Sequence, residues 1–290
     1  MQEILLNFGR IRHNRGMGIT FTIDLEDPSD RYAPEGRYVA MTRRILDLCD
    51  ETGRKATFFT VGRVAEAAPG LISEIARRGH EVAYHSHAHV SLTKEEPERF
   101  RRESLADKDR LEQLAGQKVV GFRAPRFSLT PQSLWALDIL AELGFRYSSS
   151  IMPTDISLYG FPEAPQTPFL WPNGMVEFPL PVATIGMYRM PYLGGIYLYT
   201  MPGFMLRLFL KKAKADEVLW TYTHPYDFDR TERFKRMPNT PLWISTVLWL
   251  ARRQAESKIK RVLKYGVAGP LRDRMPESAR KIVLESRVSD

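Results

Sequence analysis

The sequence holds one cysteine, Cys49, so no internal disulfide can staple the chain. It also lacks a long hydrophobic run. The most apolar window, residues 241–251, is about half the length a membrane-spanning helix needs. Near the start, Ile4-Leu5-Leu6 is too short for the core of a secretory signal, which leaves a cytoplasmic protein as the expectation. An excess of one charge is missing from most of the chain. The net charge is +8, but residues 231–290 carry 14 Lys and Arg against 6 Asp and Glu, and the first 230 residues carry 28 of each. A neutral body argues against nucleic acid as a partner, and no nucleic-acid-binding motif is present. There is no internal repeat or low-complexity tract. A content of 43% hydrophobic and 26% charged residues over 290 positions fits a folded protein with a sizeable core.

Short β-rich runs alternate with helical patterns. Residues 18–23 read as a strand that ends at the acidic cluster Asp24-Leu25-Glu26-Asp27-Pro28. Further strands are expected at 56–61, 81–84, 119–122 and 218–222. Helices are expected at 38–52, 69–78, 97–116, 131–144 and 243–264. Such alternation predicts an α/β fold with a parallel sheet and helices outside it, the chemistry gathering at the strands' C-terminal ends. Residues 159–203, rich in Pro, Gly and aromatics, read as irregular strands and loops around a cleft. Within them, Gly194-Gly195 permits close backbone approach or a sharp turn, and the turn is the favoured role.

The polar residues at those strand ends form a pattern. His85-Ser86-His87-Ala88-His89 places three of the six histidines in five residues. In the opening turn of a helix, His85 and His89 would face the same way and could share one divalent ion with a carboxylate. His87 would point elsewhere and hydrogen-bond. Asp24, Glu26 and Asp27 could supply a metal ligand and a general base. Arg123, in Phe122-Arg123-Ala124-Pro125, could pair with one of those carboxylates and orient it. His224, before Pro225, could act as an acid near neutral pH.

Taken together these motifs resemble the polysaccharide deacetylases with a NodB-homology domain, carbohydrate esterase family 4. The resemblance rests on residues 56–62, on Arg78-Gly79-His80-Glu81-Val82-Ala83 and His85-Ser86-x-x-His89, and on Arg123-x-Pro125 and His224-Pro225 in that order. It is closest to the branch whose first motif reads D-x-E-D and whose arginine motif reads F-R-A-P-x-F-S. It covers roughly residues 18–229.

The resemblance implies a distorted (β/α) barrel of about seven parallel strands, which places the catalytic domain over residues 1–230; the charge excess and helical pattern beyond it mark 231–290 as a basic, mainly helical extension. It implies metal-dependent hydrolysis of an N-acetyl or other acyl group on an amino sugar. Asp24 resembles the catalytic base, His85 and His89 the metal-binding histidines, Arg123 the residue orienting the base, and His224 the general acid. One divalent ion is implied; Zn²⁺ best suits two imidazoles and a carboxylate, with Co²⁺ or Ni²⁺ as substitutes. Many members carry two adjacent Asp in the first motif, and here Leu25 takes the second place. The carboxylate ligand is then Asp27, favoured for its short side chain, or Glu26, which a gapless comparison selects. Where many members carry a further Asp this chain has Ser148, which removes the usual group tuning His224.

Phe127, Trp171 and Tyr192 are candidates to contact the sugar, and a backbone N–H near Phe127 could stabilise an oxyanion. Other chemistries on such a barrel are cyclic-amide or formyl-sugar hydrolysis. A catalytically inactive carbohydrate-binding or membrane-scaffolding module is a third possibility, against which the intact set of polar residues argues. In the extension, Trp243, Ile244, Val247, Leu248 and Leu250 precede Arg252, Arg253, Lys258, Lys260, Arg261 and Lys264. Such a stripe can dock on the barrel or lie on an anionic membrane.

Overall fold

Strand alternation divides the apolar residues of this chain between two layers. The computed structural model describes residues 18–27, 32–155, 159–214, 216–234, 236, 241–266 and 268–275. The Ile4-Leu5-Leu6 stretch, Pro28 and residues 276–290 of the expected extension lie outside them.

Strands β1 (Thr22–Leu25), β2 (Thr57–Thr60), β3 (Glu81–Tyr84), β4 (Gly121–Phe122) and β5 (Tyr147–Ser148) are joined by helices α1 (Arg37–Glu51), α2 (Gly62–Ala67), α3 (Pro69–Arg77), α4 (Pro97–Ala115) and α5 (Trp135–Glu142). Strands β6 (Phe169–Leu170) and β7 (Val176–Glu177) complete a seven-stranded sheet in the order β1-β2-β3-β4-β5-β7-β6. All neighbours are parallel except the β6–β7 pair. Residues 218–223 add a further parallel neighbour beside β1 through the Thr20–Trp220 and Ile23–Thr223 bridges. The curl of the sheet brings Trp220 Nε1 within 3.1 Å of Pro179 O, on the chain leaving β7. This is the mostly parallel α/β architecture expected from the alternation of patterns.

On β2 and β3, Phe58, Val82 and Tyr84 face the helices and join one apolar cluster with Ile45, Leu46 and Ile72. Their neighbours Phe59 and Ala83 face inward and join a second cluster with Phe127, Tyr147, Phe178 and Trp220. Each such buried Val, Leu, Ile or Phe side chain contributes about 1.5–3 kcal/mol to folding. Leu271 and Met275 belong to the inner cluster. The Leu271 amide donates to Thr57 Oγ1 and the Arg272 amide to the buried Glu81, so the chain returns to cover the N-terminal end of β2 and β3.

The middle of the chain is more regular than its composition suggests. It carries the hairpin β8 (Val182–Ile185) and β9 (Tyr188–Pro191), then helices α6 (Gly195–Thr200) and α7 (Gly203–Lys212). Gly194 serves close approach: a Cβ there would lie 2.3 Å from the Tyr222 ring and 2.4 Å from its carbonyl oxygen. Gly195, at φ +53°, supplies the turn. Helix α8 (Leu242–Leu263) packs its second half on the body, burying Ala255, Ile259, Val262 and Leu263. Lys258 donates to the Met201 carbonyl, and Glu256 pairs with Arg44 at 2.7 Å.

Candidate active site

At the C-terminal end of β1 the two-residue period of an extended chain puts Thr22, Asp24 and Glu26 on one side, while Ile23 and Leu25 enter the apolar core. Asp24 Oδ1 accepts a 2.5 Å hydrogen bond from Arg123, which also donates to Thr22 Oγ1 at 2.9 Å and to Ser149. The Arg123 side chain is fully buried. Its guanidinium lies 3.9 Å from the centre of the Phe59 ring and 4.3 Å from that of Trp220. A buried cation is tolerable only with such partners. Burial lowers the Arg123 pKa and the Asp24 carboxylate opposes that fall. The orienting contact expected between Arg123 and the acidic cluster is therefore made to Asp24.

The histidine run is not the start of a helix. Residues 85–91 form a loop in which Ser86 and His89 adopt left-handed backbone, φ +62° and +55°. The loop still brings the two imidazoles together, with ring centres 5.1 Å apart. His85 Nδ1 lies 2.8 Å from the Arg123 carbonyl. A carbonyl can only accept, so that nitrogen carries the proton and Nε2 is left as the ligand atom. Burial pushes the His85 pKa down to about 4, which keeps the ring neutral.

Glu26 Oε2 lies 2.5 Å from His89 Nε2 and 3.9 Å from His85 Nε2, yet it is a buried oxygen with no well-formed hydrogen bond. Burial would raise the Glu26 pKa, but the charge and hydrogen bond of His89, and then the charge of His224, hold it at about 2. An ionised carboxylate oxygen and two imidazole nitrogens lying within 4.8 Å of one another fit a divalent cation. Asp27, favoured from the sequence, stands outside this group. Its charge is felt instead at Tyr38, whose hydroxyl pKa is pushed up to about 12 by burial and then by Asp27. The reason is the alternation along β1, which turns residue 27 away from residues 24 and 26. His87 points elsewhere as expected and meets Asp107 at 3.0 Å.

His224 enters from the segment beside β1. Its Nε2 lies 4.0 Å from Asp24 Oδ2 and 3.9 Å from Glu26 Oε1. Asp227 Oδ2 accepts from the His224 amide at 2.8 Å and lies 3.0 Å from its Nδ1. Tyr199 donates to the same oxygen at 2.8 Å. Burial alone would lower the His224 pKa; the charge and hydrogen bond of Asp227, then Glu26 and Asp24, raise it to about 9. Asp227 thus stands in for the acid missing at Ser148, and sequence reasoning passed over it. The available signal was an acidic residue three positions after a histidine that precedes Pro225, the spacing that lets a side chain bond back to the residue starting the turn. Tyr226 was also missed. Its ring stacks on His224 with centres 4.6 Å apart, and its hydroxyl lies 3.4 Å from Glu26 Oε1.

Among the residues expected to touch a sugar, Phe127 borders the site, with its ring centre 5.3 Å from that of Tyr222 and 5.7 Å from the Arg123 guanidinium. Its amide donates to Ala124 O and that of Ser128 to Pro125 O, so these two N–H groups are already engaged rather than open to an oxyanion. Trp171 and Tyr192 are buried in the core. Trp171 bonds to Glu177 and packs on Phe169, and Tyr192 packs on Phe209. Ring area favours burial for both. Among the described residues, four non-glycine positions have left-handed backbone: Ser86, His89, Arg126 and Phe127. All four lie in the loops after β3 and β4, the two that carry the histidines and follow Arg123.

Comparison with known proteins places two family models on the chain. Residues 21–148 match the polysaccharide deacetylase family, and residues 149–267 match a domain of unknown function, DUF3473. The second match runs across residue 230. The candidate site draws on both, with Asp24, Glu26, His85, His89 and Arg123 in the first and His224 and Asp227 in the second. The peptidoglycan-N-acetylglucosamine deacetylase of Bacillus cereus is 30% identical over 105 residues, which are 36% of this chain and 38% of that one. The chitooligosaccharide deacetylase of Bradyrhizobium is 27% identical over 135 residues, 47% of this chain and 54% of that one. The matches thus span less than two thirds of the length of either relative. A crystal structure classed with the polysaccharide deacetylases, from Mycobacterium smegmatis, shares the fold at a TM-score of 0.57 and 21% identity, covering 93% of this chain and 94% of that one.

Proposed function

We propose, for a chain whose residues 21–148 belong to the polysaccharide deacetylase family, metal-dependent hydrolysis of an N-acetyl or closely related acyl group on an amino sugar. The observation that carries this reading is the convergence of three roles at one strand end. Asp24 is held by Arg123, Glu26 faces His85 and His89, and His224 Nε2 lies 4.0 Å from Asp24 Oδ2.

Glu26, His85 and His89 would hold the ion. A divalent cation there, with Zn²⁺ the best match to the donors, would polarise the acyl carbonyl and acidify a water molecule. Arg123 occupies Asp24 Oδ1, which leaves Oδ2 toward the site to take the proton from the attacking water. As the water oxygen bonds to the acyl carbon, charge grows on the carbonyl oxygen. The protonated His224, fixed through Nδ1 by Asp227, gives its Nε2 proton to the departing nitrogen. The carbon–nitrogen bond then breaks to give a carboxylic acid and an amine. Without that proton an amine anion would have to leave, which is prohibitive near neutral pH.

The test is acid release from a panel of N-acylated sugars, free and lipid-linked, with wild type and His224→Ala side by side. Acetate released by wild type and lost in the variant is expected. Formate in place of acetate would move the reading to a formyl-sugar hydrolase, and ring opening of a cyclic amide alone to that class. No hydrolysis of any member by metal-loaded protein would leave a binding module and overturn the proposal.

A further inference from the structure

We infer that the first half of helix α8 is a docking surface for an anionic lipid bilayer, set beside the mouth of the catalytic site. From residue 242 to 250 the helix reads Leu-Trp-Ile-Ser-Thr-Val-Leu-Trp-Leu, with no charge, and only Ser245 is buried. A helix apolar on all sides belongs in a core or in lipid. Here Trp243 is 69% exposed, Leu242 58% and Leu250 45%.

The solvent stripe of the same helix makes the anomaly clear. At i, i+4, i+7 spacing it runs Trp243, Val247, Leu250, Gln254, Ser257, Arg261 and Lys264, all exposed. Its second half is polar, as an exposed face should be, and that half also packs on the body through Ala255, Ile259 and Val262. Its first half is apolar and faces outward. Phe234, 40% exposed and packed edge-on against Trp249, enlarges the patch.

Charge selects the occupant. Arg230, Arg233 and Arg236 precede the patch in sequence and Arg252 and Arg253 follow it, with Arg253 over the Trp249 ring at 4.8 Å. Two of the five are matched by acids, Arg252 by Glu232 at 2.6 Å and Arg230 by Glu256 at 3.7 Å, so the segments flanking the patch keep a net positive charge. Apolar side chains with a tryptophan, flanked by an excess of arginine, match the headgroup boundary of an anionic membrane. A second copy of the chain on this face would set arginines against arginines. No described helix is long and apolar enough to cross a membrane, so the contact would be peripheral.

The patch is coupled in space to the chemistry. The Arg252 guanidinium lies 5.0 Å from the centre of the Tyr226 ring, which stacks on His224. Trp243 is nine residues from Arg252, about 14 Å along the helix axis. A bilayer at the patch would therefore present membrane-borne sugars to the site, an extension that rests on the hydrolase reading above although the binding itself does not.

The experiment is co-sedimentation of the full chain with vesicles of phosphatidylcholine alone or with phosphatidylglycerol, at low and high salt. Binding to the anionic vesicles is expected, at least tenfold weaker on neutral vesicles or in high salt. Trp243→Glu with Leu250→Glu should reduce it at least tenfold while leaving the circular dichroism spectrum and the hydrolysis of a soluble substrate unchanged. Quenching of tryptophan emission by brominated lipid in wild type reads the same contact without any substitution. Wild type remaining in the supernatant with anionic vesicles would overturn the inference. So would a folded double variant that binds as wild type does, or a wild-type dimer that the double variant dissolves without any lipid binding. Lipid binding without hydrolysis would instead strike the enzymatic reading alone.

Discussion

Asp227 grips His224 twice, through the backbone amide at 2.8 Å and the imidazole Nδ1 at 3.0 Å, both to the same carboxylate oxygen. The ring orientation and its charge are therefore set by one side chain. The pKa of His224 is raised to about 9, so the imidazolium that donates the proton in the proposed reaction persists through neutral pH and is lost as pH rises. Activity should fall on the alkaline side, above the ordinary imidazole range, since Asp227 raises the His224 pKa. Asp227→Asn keeps the shape and removes the charge, and should bring that limb down by about one to two pH units. A pH profile of kcat for both proteins checks this; an unmoved limb would refute the assignment of His224 as the acid.

The carboxylate ligand can be decided by two neighbouring substitutions. Glu26→Gln removes the ionised oxygen facing His85 and His89 and should abolish stoichiometric metal and nearly all turnover. Asp27→Asn, outside that group, should keep both close to wild type. Elemental analysis of the two purified variants reads the difference. Metal retained in Glu26→Gln and lost in Asp27→Asn would reverse the assignment.

Arg123 has a structural duty besides its orienting one. Replacing it with Ala takes from Asp24 its direct ion-pair partner, leaving only His224 at 4.0 Å, and removes the filling between Phe59 and Trp220. Breaking a buried pair in this way costs about 3–5 kcal/mol. Thermal denaturation should show Tm lowered by roughly 6–20 °C in a protein of this size, with turnover lost as well. A variant as stable as wild type would mean that Asp24 is not held by this contact.

The sheet, and the gathering of most of the candidate site's residues, were legible in the sequence because each strand ends in polar residues that a buried core would otherwise exclude. Asp24, His85, His89, Arg123 and His224 stand directly after apolar runs, and a parallel sheet gathers those ends. What escaped was what depends on fine orientation. The choice between Glu26 and Asp27 turns on one residue of strand register. Asp227 and Tyr226 matter through contacts within a tight turn after Pro225. The helices α6 and α7 were hidden among Pro, Gly and aromatic residues whose local preferences oppose regular structure, and packing overrode those preferences. Trp171 and Tyr192 read equally well as sugar platforms or as core, since large rings serve both purposes, and burial took them. The apolar stripe of α8 likewise admitted docking or lipid, and its second half docks on the body while its first remains exposed.

The central claim is that Glu26, His85 and His89 hold one divalent ion on which amide hydrolysis depends. Its most direct test is a metal titration of chelator-stripped protein, following acid release from the best N-acylated sugar of the panel. Activity should rise from near zero and break at one ion per chain, and His89→Ala should show neither the rise nor the break. Full turnover by the metal-free protein, or a normal titration in His89→Ala, would contradict the account.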